Sequence, residues 1–399
     1  MSNKPVIVVG GGIGGLAAAL ALARQDLEVT LLEQAETIGE IGAGLQIGPN
    51  AFAALQSLGV ADAVKQSAVI AERMAMMDAV SGEPVANIPL QADFKKRFGN
   101  PYAVAHRADL HSALYEACLA DSRIRIHVDS RVESVSTEAA AVQTCDGRRF
   151  EGAALIGADG VKSVVRDAIV GDSPRVSGHV VYRAVIPAGE MPSGLRWNAP
   201  IVWAGPGCHI VHYPIRGGEQ YNLVVTFHSR LQEAWGVTDG SRDEVLSYFT
   251  GIQALPASLL ELPRSWRRWS TADRDPILSW TRDTATLLGD AAHPMMQYLA
   301  QGACMALEDA VTLAAAIGAT RTRSTVEWQR ALALYERSRV ARTARVVLSV
   351  REFGRLCHVS GVERLVRNEM WRDRSPERFY DALEWLYAWR PDACLQPSA

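Results

Sequence analysis

The sequence predicts an α/β protein: a parallel-sheet domain, an inserted β-sheet domain, and a helical C-terminal region. Three observations carry this. The chain opens on a strand, a glycine-rich turn, a helix and a second strand within Val6–Glu33. From about Pro174 to Arg274 its texture changes to short alternating apolar segments. At Ala285–Ala310 a strand, a turn and a helix return, and a mostly helical tail follows over Thr325–Trp389.

Val6–Val9 is short and β-branched, as expected of a strand buried on both faces of a parallel sheet. Gly10, Gly12 and Gly15 fill a G-x-G-x-x-G spacing, Leu16–Arg24 continues with strong helix formers, and Glu28–Leu32 makes a second strand. Glu33 stands 18 positions after Gly15. Such glycines let a turn pass close to a pyrophosphate, whose charge sits at the positive end of the helix, and the acid accepts hydrogen bonds from a ribose. A bound dinucleotide is therefore expected.

At 399 residues, one very large domain or two to three ordinary ones are possible. A formal net charge of −3 offers no surface for nucleic acid or anionic lipid. The six cysteines lack C-x-x-C spacing, so they read as reduced residues of a cytoplasmic protein. Pro5–Ala23 is uncharged, but its central glycines and the βαβ continuation argue against a membrane span or signal sequence. His106, His111, His127 and His293 show no metal-ligand spacing, and no metal is expected.

Glu36–Asn50 is glycine-rich, without helical or strand period, and reads as a loop running close to something flat. Ala51–Ser57 is helical, and Met74–Ala79 and Val85–Ile88 are strand-like. A basic turn at Lys95–Arg97 and a strand at Tyr102–Ala105 precede a helix with Asp109 as a candidate N-cap. Arg107, just before it, is within reach of a phosphate or a ribityl hydroxyl. Strands at Arg123–Val128, Arg131–Thr137 and Ala141–Cys145 follow, with Asp146-Gly147 as a hairpin turn. Apolar residues then lead into Asp159-Gly160, followed by Ser163 and Arg166, again placing an acid at the C-terminal end of a parallel strand.

The inserted domain, 174–274, contains Cys208–Pro214. Strand alternation puts His209, Val211 and Tyr213 on one face, with His209 and Tyr213 about 13 Å apart at the extended rise, so that both can grip one ring. The first domain then comprises 1–173 and 275–325, with 71–100 a candidate addition to the substrate sheet, and the helical region is 326–399. Gly302 opens a helix with no acid in its first turn, leaving the positive dipole for an anion. The tail aromatics Trp328, Phe353, Trp371, Trp385, Tyr387 and Trp389 read as core and subunit interface.

Three motifs in this order and spacing resemble the group A flavoprotein aromatic hydroxylases of the para-hydroxybenzoate hydroxylase fold: Gly10-x-Gly12-x-x-Gly15 with Glu33, Asp159-Gly160 with Ser163 and Arg166, and Gly289-Asp290 with His293-Pro294. The resemblance spans nearly the whole chain. It implies a Rossmann-like FAD-binding domain of the glutathione-reductase type. Gly10, Gly12, Gly15 and Glu33 would hold the ADP half of FAD, and Arg107 and Asp290 its ribityl and phosphate portion. Asp159 would serve both FAD and the reduced nicotinamide, Pro294 would lie against the isoalloxazine, and the Gly302 helix would face its pyrimidine edge. A mobile loop at Gly42–Gln46 would border the flavin. Tyr102, His209, Tyr213 and Gln297 would line the substrate pocket.

Within the family, GEIGAGLQIGPN, PYAVAHRADLH and CHIVHYPIRGGE look most like the branch that hydroxylates 3-hydroxybenzoate at C6. This implies an NADH-using monooxygenase that forms gentisate (2,5-dihydroxybenzoate) through a flavin C4a-hydroperoxide and works as a cytoplasmic homodimer. His209 would act as the base at the phenol, with Gln297 orienting the same hydroxyl and Tyr213 and Tyr102 packing the ring or binding the carboxylate. The alternatives are decarboxylating salicylate 1-hydroxylation, 6-hydroxynicotinate 3-hydroxylation, or a non-catalytic flavin-fold binding protein. No residue is assigned to the carboxylate.

Overall fold

The computed structural model describes residues 4–39, 44–320 and 324–396. Its first sheet runs, edge to edge, Thr281–Arg282, Ala285–Leu287, Ala154–Gly157, Val6–Val9, Val29–Leu32 and Ile124–His127. All neighbours are parallel except the terminal hairpin pair. Two strands from distant sequence, Ala154–Gly157 and Val29–Leu32, thus flank the opening strand, and all three end where the glycine turn begins.

The opening helix, Ile13–Ala23, is buried nearly all round. Its alanines explain how: small side chains let it lie between the sheet and the helix Gly302–Thr320, both of whose buried faces join one core. Among the described residues Gly302–Thr320 is the one helix long and apolar enough to cross a membrane, but 72% of that window is buried inside the fold.

The second sheet has eight strands in the order Gly236–Gly240, Trp266–Asp273, Arg175–Pro187, Gln220–His228, Cys208–Ile215, Ile201–Gly205, Arg73–Asp78 and Pro84–Pro89. One face carries its own core, including Tyr182, Ile210, Leu223, Val225 and Phe227. The other face looks toward the first domain. The long helix Thr325–Cys357 packs along Gly302–Thr320, with Arg339 bonded to Glu308 at 2.7 Å and to Asp309 at 2.6 Å.

Several local expectations change. Lys95–Arg97 belongs to a helix, Ala92–Phe98, because Phe94 and Phe98 at helical spacing bury against Tyr380 and Tyr387. His106, not Asp109, caps the helix Arg107–Ala120: its ring nitrogen accepts from the Ala108 N–H at 3.2 Å. Gly42 lies outside the described residues, while Gly44–Gln46 is part of a strand, Gly44–Ile47, paired with Ala103–His106 rather than a loop.

Candidate active site

At the glycine turn, the glycines divide their work. Gly10 has φ +108°, and a Cβ there would meet the Ala158 carbonyl oxygen at 2.3 Å. A Cβ on Gly15 would lie 1.8 Å from the Gly10 carbonyl oxygen. Both are required by the protein's own backbone packing. A Cβ on Gly12 would meet nothing within 4 Å, so Gly12 leaves space for something other than protein. Gly12 is also the N-cap of Ile13–Ala23, which has no side-chain cap and no acid in its first turn. The free N–H groups and the helix dipole point into that space. Glu33 closes the turn from the neighbouring strand, accepting from the Gly11 N–H at 2.6 Å and the Ala35 N–H at 2.9 Å.

The Asp159 carboxylate has partners within the protein. Asp159 accepts from the Ser163 hydroxyl and from the Val164 and Val165 N–H groups, so its carboxylate secures the N-terminus of the helix Val164–Ile169 and does not line the cavity described below. Burial raises its pKa, against the hydrogen bond from Ser163. The neighbouring Gly160 does line the cavity. Arg166, fully buried, is bidentate to Asp172 and donates to the carbonyls of Ala291 (2.8 Å) and Ala292 (2.6 Å). The second motif is thereby fastened to the third.

In the third motif, Gly289 has φ +62° and its N–H donates to Asp309 at 3.0 Å. His293 Nε2 meets the same carboxylate oxygen at 2.6 Å. Burial alone would raise Asp309, but His293 and Arg339 hold its carboxyl down at about 2. Glu308 binds Arg339 and Arg342, and Arg342 donates to the carbonyls of Trp385 and Leu386. This buried ionic network pins the turn, the long helix and the chain's last helix together.

These elements enclose a cavity of about 680 Å³. Gly12, Gln46, Tyr102, Arg107, His209, Tyr213, Asp290, Gln297 and Gly302 all line it. Gly10, Gly15, Glu33, Asp159 and Pro294 do not: the first four shape the turns behind the wall, and Pro294 is buried beneath it. The sheet face over the cavity follows the registry. Arg183 is paired with Val224, and Val224 with Val211; His209 is opposite Thr226 and Tyr213 opposite Asn222. Alternation therefore turns all of these toward the cavity side while Ile210 and Val225 enter the opposite core.

His209 is 3% exposed, and its Nδ1 lies 2.7 Å from His358 Nε2. Burial, with a smaller push from His179, lowers its pKa to about 3, far from the near-neutral value expected of an ordinary histidine. Gln297 donates from Nε2 to the Thr226 hydroxyl at 3.2 Å. The Tyr102 hydroxyl donates to Gln46 Oε1 at 2.6 Å. Burial raises Tyr213, opposed by Arg183.

Sequence reasoning missed Arg183, Thr226 and His358. Arg183 enters no ion pair among the described residues; its guanidinium lies over the Trp269 ring at 5.5 Å. Alternation along its strand was legible, but which face met the cavity depended on strand pairings no motif announces. The tail aromatics need correction too, because Phe353, Trp371 and Tyr387 form part of the cavity wall.

A family model for an FAD binding domain matches residues 3–349. The chain is 55% identical over 396 residues to a 3-hydroxybenzoate 6-hydroxylase of Polaromonas naphthalenivorans (strain CJ2), covering 99% of this chain and 98% of the relative. The chain belongs to the FAD-binding aromatic hydroxylases. A second member of this family, the 3-hydroxybenzoate 6-hydroxylase of Klebsiella oxytoca, is 56% identical over 392 residues, 98% of each chain. Among solved structures, Klebsiella pneumoniae HpxO complexed with FAD and uric acid superposes with a TM-score of 0.82 at 26% identity, covering 98% of this chain and 97% of that one. This hydroxylase is accordingly an FAD-dependent monooxygenase. Its residues suit the cofactor: the space over Gly12 and the acid-free helix start at Gly302 open on the same cavity.

Proposed function

We propose that this enzyme hydroxylates 3-hydroxybenzoate para to its phenol, consuming NADH and O2 and releasing gentisate. The observation that carries the reading is the placement of neutral, buried His209 on the wall of the cavity that also contains Gly12 and Gly302. The near-full-length likeness to enzymes named for this reaction supports the same substrate.

FAD, when bound, supplies electron transfer from the nicotinamide and activates oxygen. Gly12 would face its ADP half, with Gly10, Gly15 and Glu33 shaping that turn from behind, and Arg107, Asp290 and Gly302 would meet the rest. Gln46 would border it, with Asp159 and Pro294 supporting their turns from behind. The protein's own chemistry concerns the phenol. A phenolate ring is a far better nucleophile than a phenol, so a neutral imidazole at the hydroxyl raises reactivity by accepting its hydrogen bond and drawing its proton away without retaining the charge. Gln297, fixed by Thr226, orients the same oxygen. Tyr213 and Tyr102 pack the ring, and the guanidinium of Arg183, without an ion-pair partner among the described residues, suits the carboxylate. The apolar remainder of the wall excludes water.

The enzyme works as a homodimer in the cytoplasm on this reading. Val362, Leu365, Val366 and Met370 are 52–75% exposed on one side of the helix Gly361–Trp371, a stripe that a second copy would cover. The six unpaired cysteines suit a reducing compartment.

The test is oxygen uptake by purified yellow enzyme with NADH and a panel of 3-hydroxybenzoate, salicylate, 4-hydroxybenzoate and 6-hydroxynicotinate, with products identified by mass. Gentisate from 3-hydroxybenzoate is expected. Catechol and CO2 from salicylate would instead identify a decarboxylating hydroxylase, and turnover with none of the rings would reject the reading.

A further inference from the structure

A base that is costly to charge cannot keep the proton it takes. His209 is almost fully buried, and burial disfavours its imidazolium. If its Nε2 receives a phenolic proton, the charge must move on, and its Nδ1 already has a partner: His358 Nε2, 2.7 Å away. His358 is half-buried, nearer to solvent than His209. It is also the C-cap of the 33-residue helix Thr325–Cys357, and burial, with smaller pushes from His209, His179 and His228, holds its own imidazolium well below the usual histidine range, so it too must hand the proton on rather than keep it. The Gly207 N–H donates to the His358 carbonyl at 2.9 Å, fixing the helix end against the hairpin that presents His209.

We propose that His358 is a proton-relay residue for the hydroxylation, acting through His209. This rests on the assignment of His209 to the substrate phenol. The phenolic O–H breaks as His209 Nε2–H forms. His209 Nδ1–H then breaks as His358 Nε2–H forms, and His358 releases its Nδ1 proton to water. The net result is bound phenolate and one proton in solution. Reversal of the same steps reprotonates the product, and no redox partner is needed. The titratable groups facing His358 are His209 and His228 from the sheet, His179, and Tyr298, whose hydroxyl bonds His179. Asp273, which bears on His179, is itself held by Arg175 and Arg351.

Two variants separate relay from mere positioning. His358→Gln keeps a side chain able to hydrogen-bond His209 but unable to pass a proton. His358→Ala opens a space for free imidazole. Oxidised FAD-loaded enzyme is mixed with 3-hydroxybenzoate in weakly buffered solution containing an indicator dye, and proton release is followed by stopped flow. Wild type should release a proton on binding. His358→Gln should bind with unchanged Kd yet release it at least about tenfold more slowly, and imidazole should restore the rate in His358→Ala. A wild-type release rate in His358→Gln, or the absence of release in wild type, overturns the relay. The assay requires no turnover. Gentisate formation without His358-dependent release rejects the relay and leaves the proposed function standing; failure of wild type to bind or hydroxylate 3-hydroxybenzoate rejects both.

Discussion

Arg166 donates to the Ala292 carbonyl at 2.6 Å, across 126 residues of sequence. That bond, with its companion to Ala291, makes the helix after Asp159 and the turn after Gly289 one rigid unit beside the cavity. Arg166→Met should lower Tm and weaken FAD retention together, because the turn carrying Asp290 loses its tether. Removing one partner of a buried ion pair costs roughly 3–5 kcal/mol. The cost should be smaller here, since Arg274 keeps Asp172 paired at 2.6 Å. Thermal melts with and without added FAD check this; a variant with the wild-type melt and full yellow colour would show that the tether is dispensable.

The glycine turn offers a sharper contrast. Gly15→Ala should prevent folding, because its Cβ would stand 1.8 Å from a backbone oxygen. Gly12→Ala should fold with a normal melt as apoprotein, since its Cβ touches no protein atom, yet lose FAD affinity. Circular dichroism and a flavin fluorescence titration distinguish the two. Tight FAD binding by a folded Gly12→Ala protein would mean that the space over Gly12 is not the cofactor's.

Much of this site is legible in the sequence. The βαβ opening, the three turns and the alternation of His209 with Tyr213 are local patterns, and local patterns survive into structure. What escaped notice depends on distant pairing. His358 lies 149 residues from His209, and only the docking of a helix end on a hairpin unites them. Arg183 sits two strands from Val211, in a registry that Val180–Ile186 alone cannot specify. Asp159 ends a parallel strand, which the sequence makes legible, but the three donors immediately downstream that its oxygens accept from could not be read from the motif.

The buried histidines predict a pH dependence of stability. His209 and His212 titrate at about 3 and His179 at about 4 in the folded protein, each lowered by burial. Unfolded histidine titrates near 6.5, so between these values the unfolded chain binds more protons than the folded one. Stability should be full above about pH 6.5 and decline as the pH falls toward 4. Urea midpoints across that range test this. His212→Phe, which removes one such group beside Trp203, should flatten the slope; an unchanged slope would mean His212 does not titrate as its burial implies.

Arg183 bears on substrate choice. Its guanidinium faces the cavity, has no ion-pair partner among the described residues, and is held over Trp269. A charge-assisted hydrogen bond contributes about 1.5–3 kcal/mol, so Arg183→Met should raise KM for 3-hydroxybenzoate roughly 10- to 100-fold. FAD content should stay constant and kcat should change less, because the carboxylate is bound equally in ground and transition states. The neutral analogue 3-hydroxybenzamide should bind the variant as well as it binds wild type. An equal loss for acid and amide would remove Arg183 from the carboxylate and place its contribution in the general shape of the cavity wall.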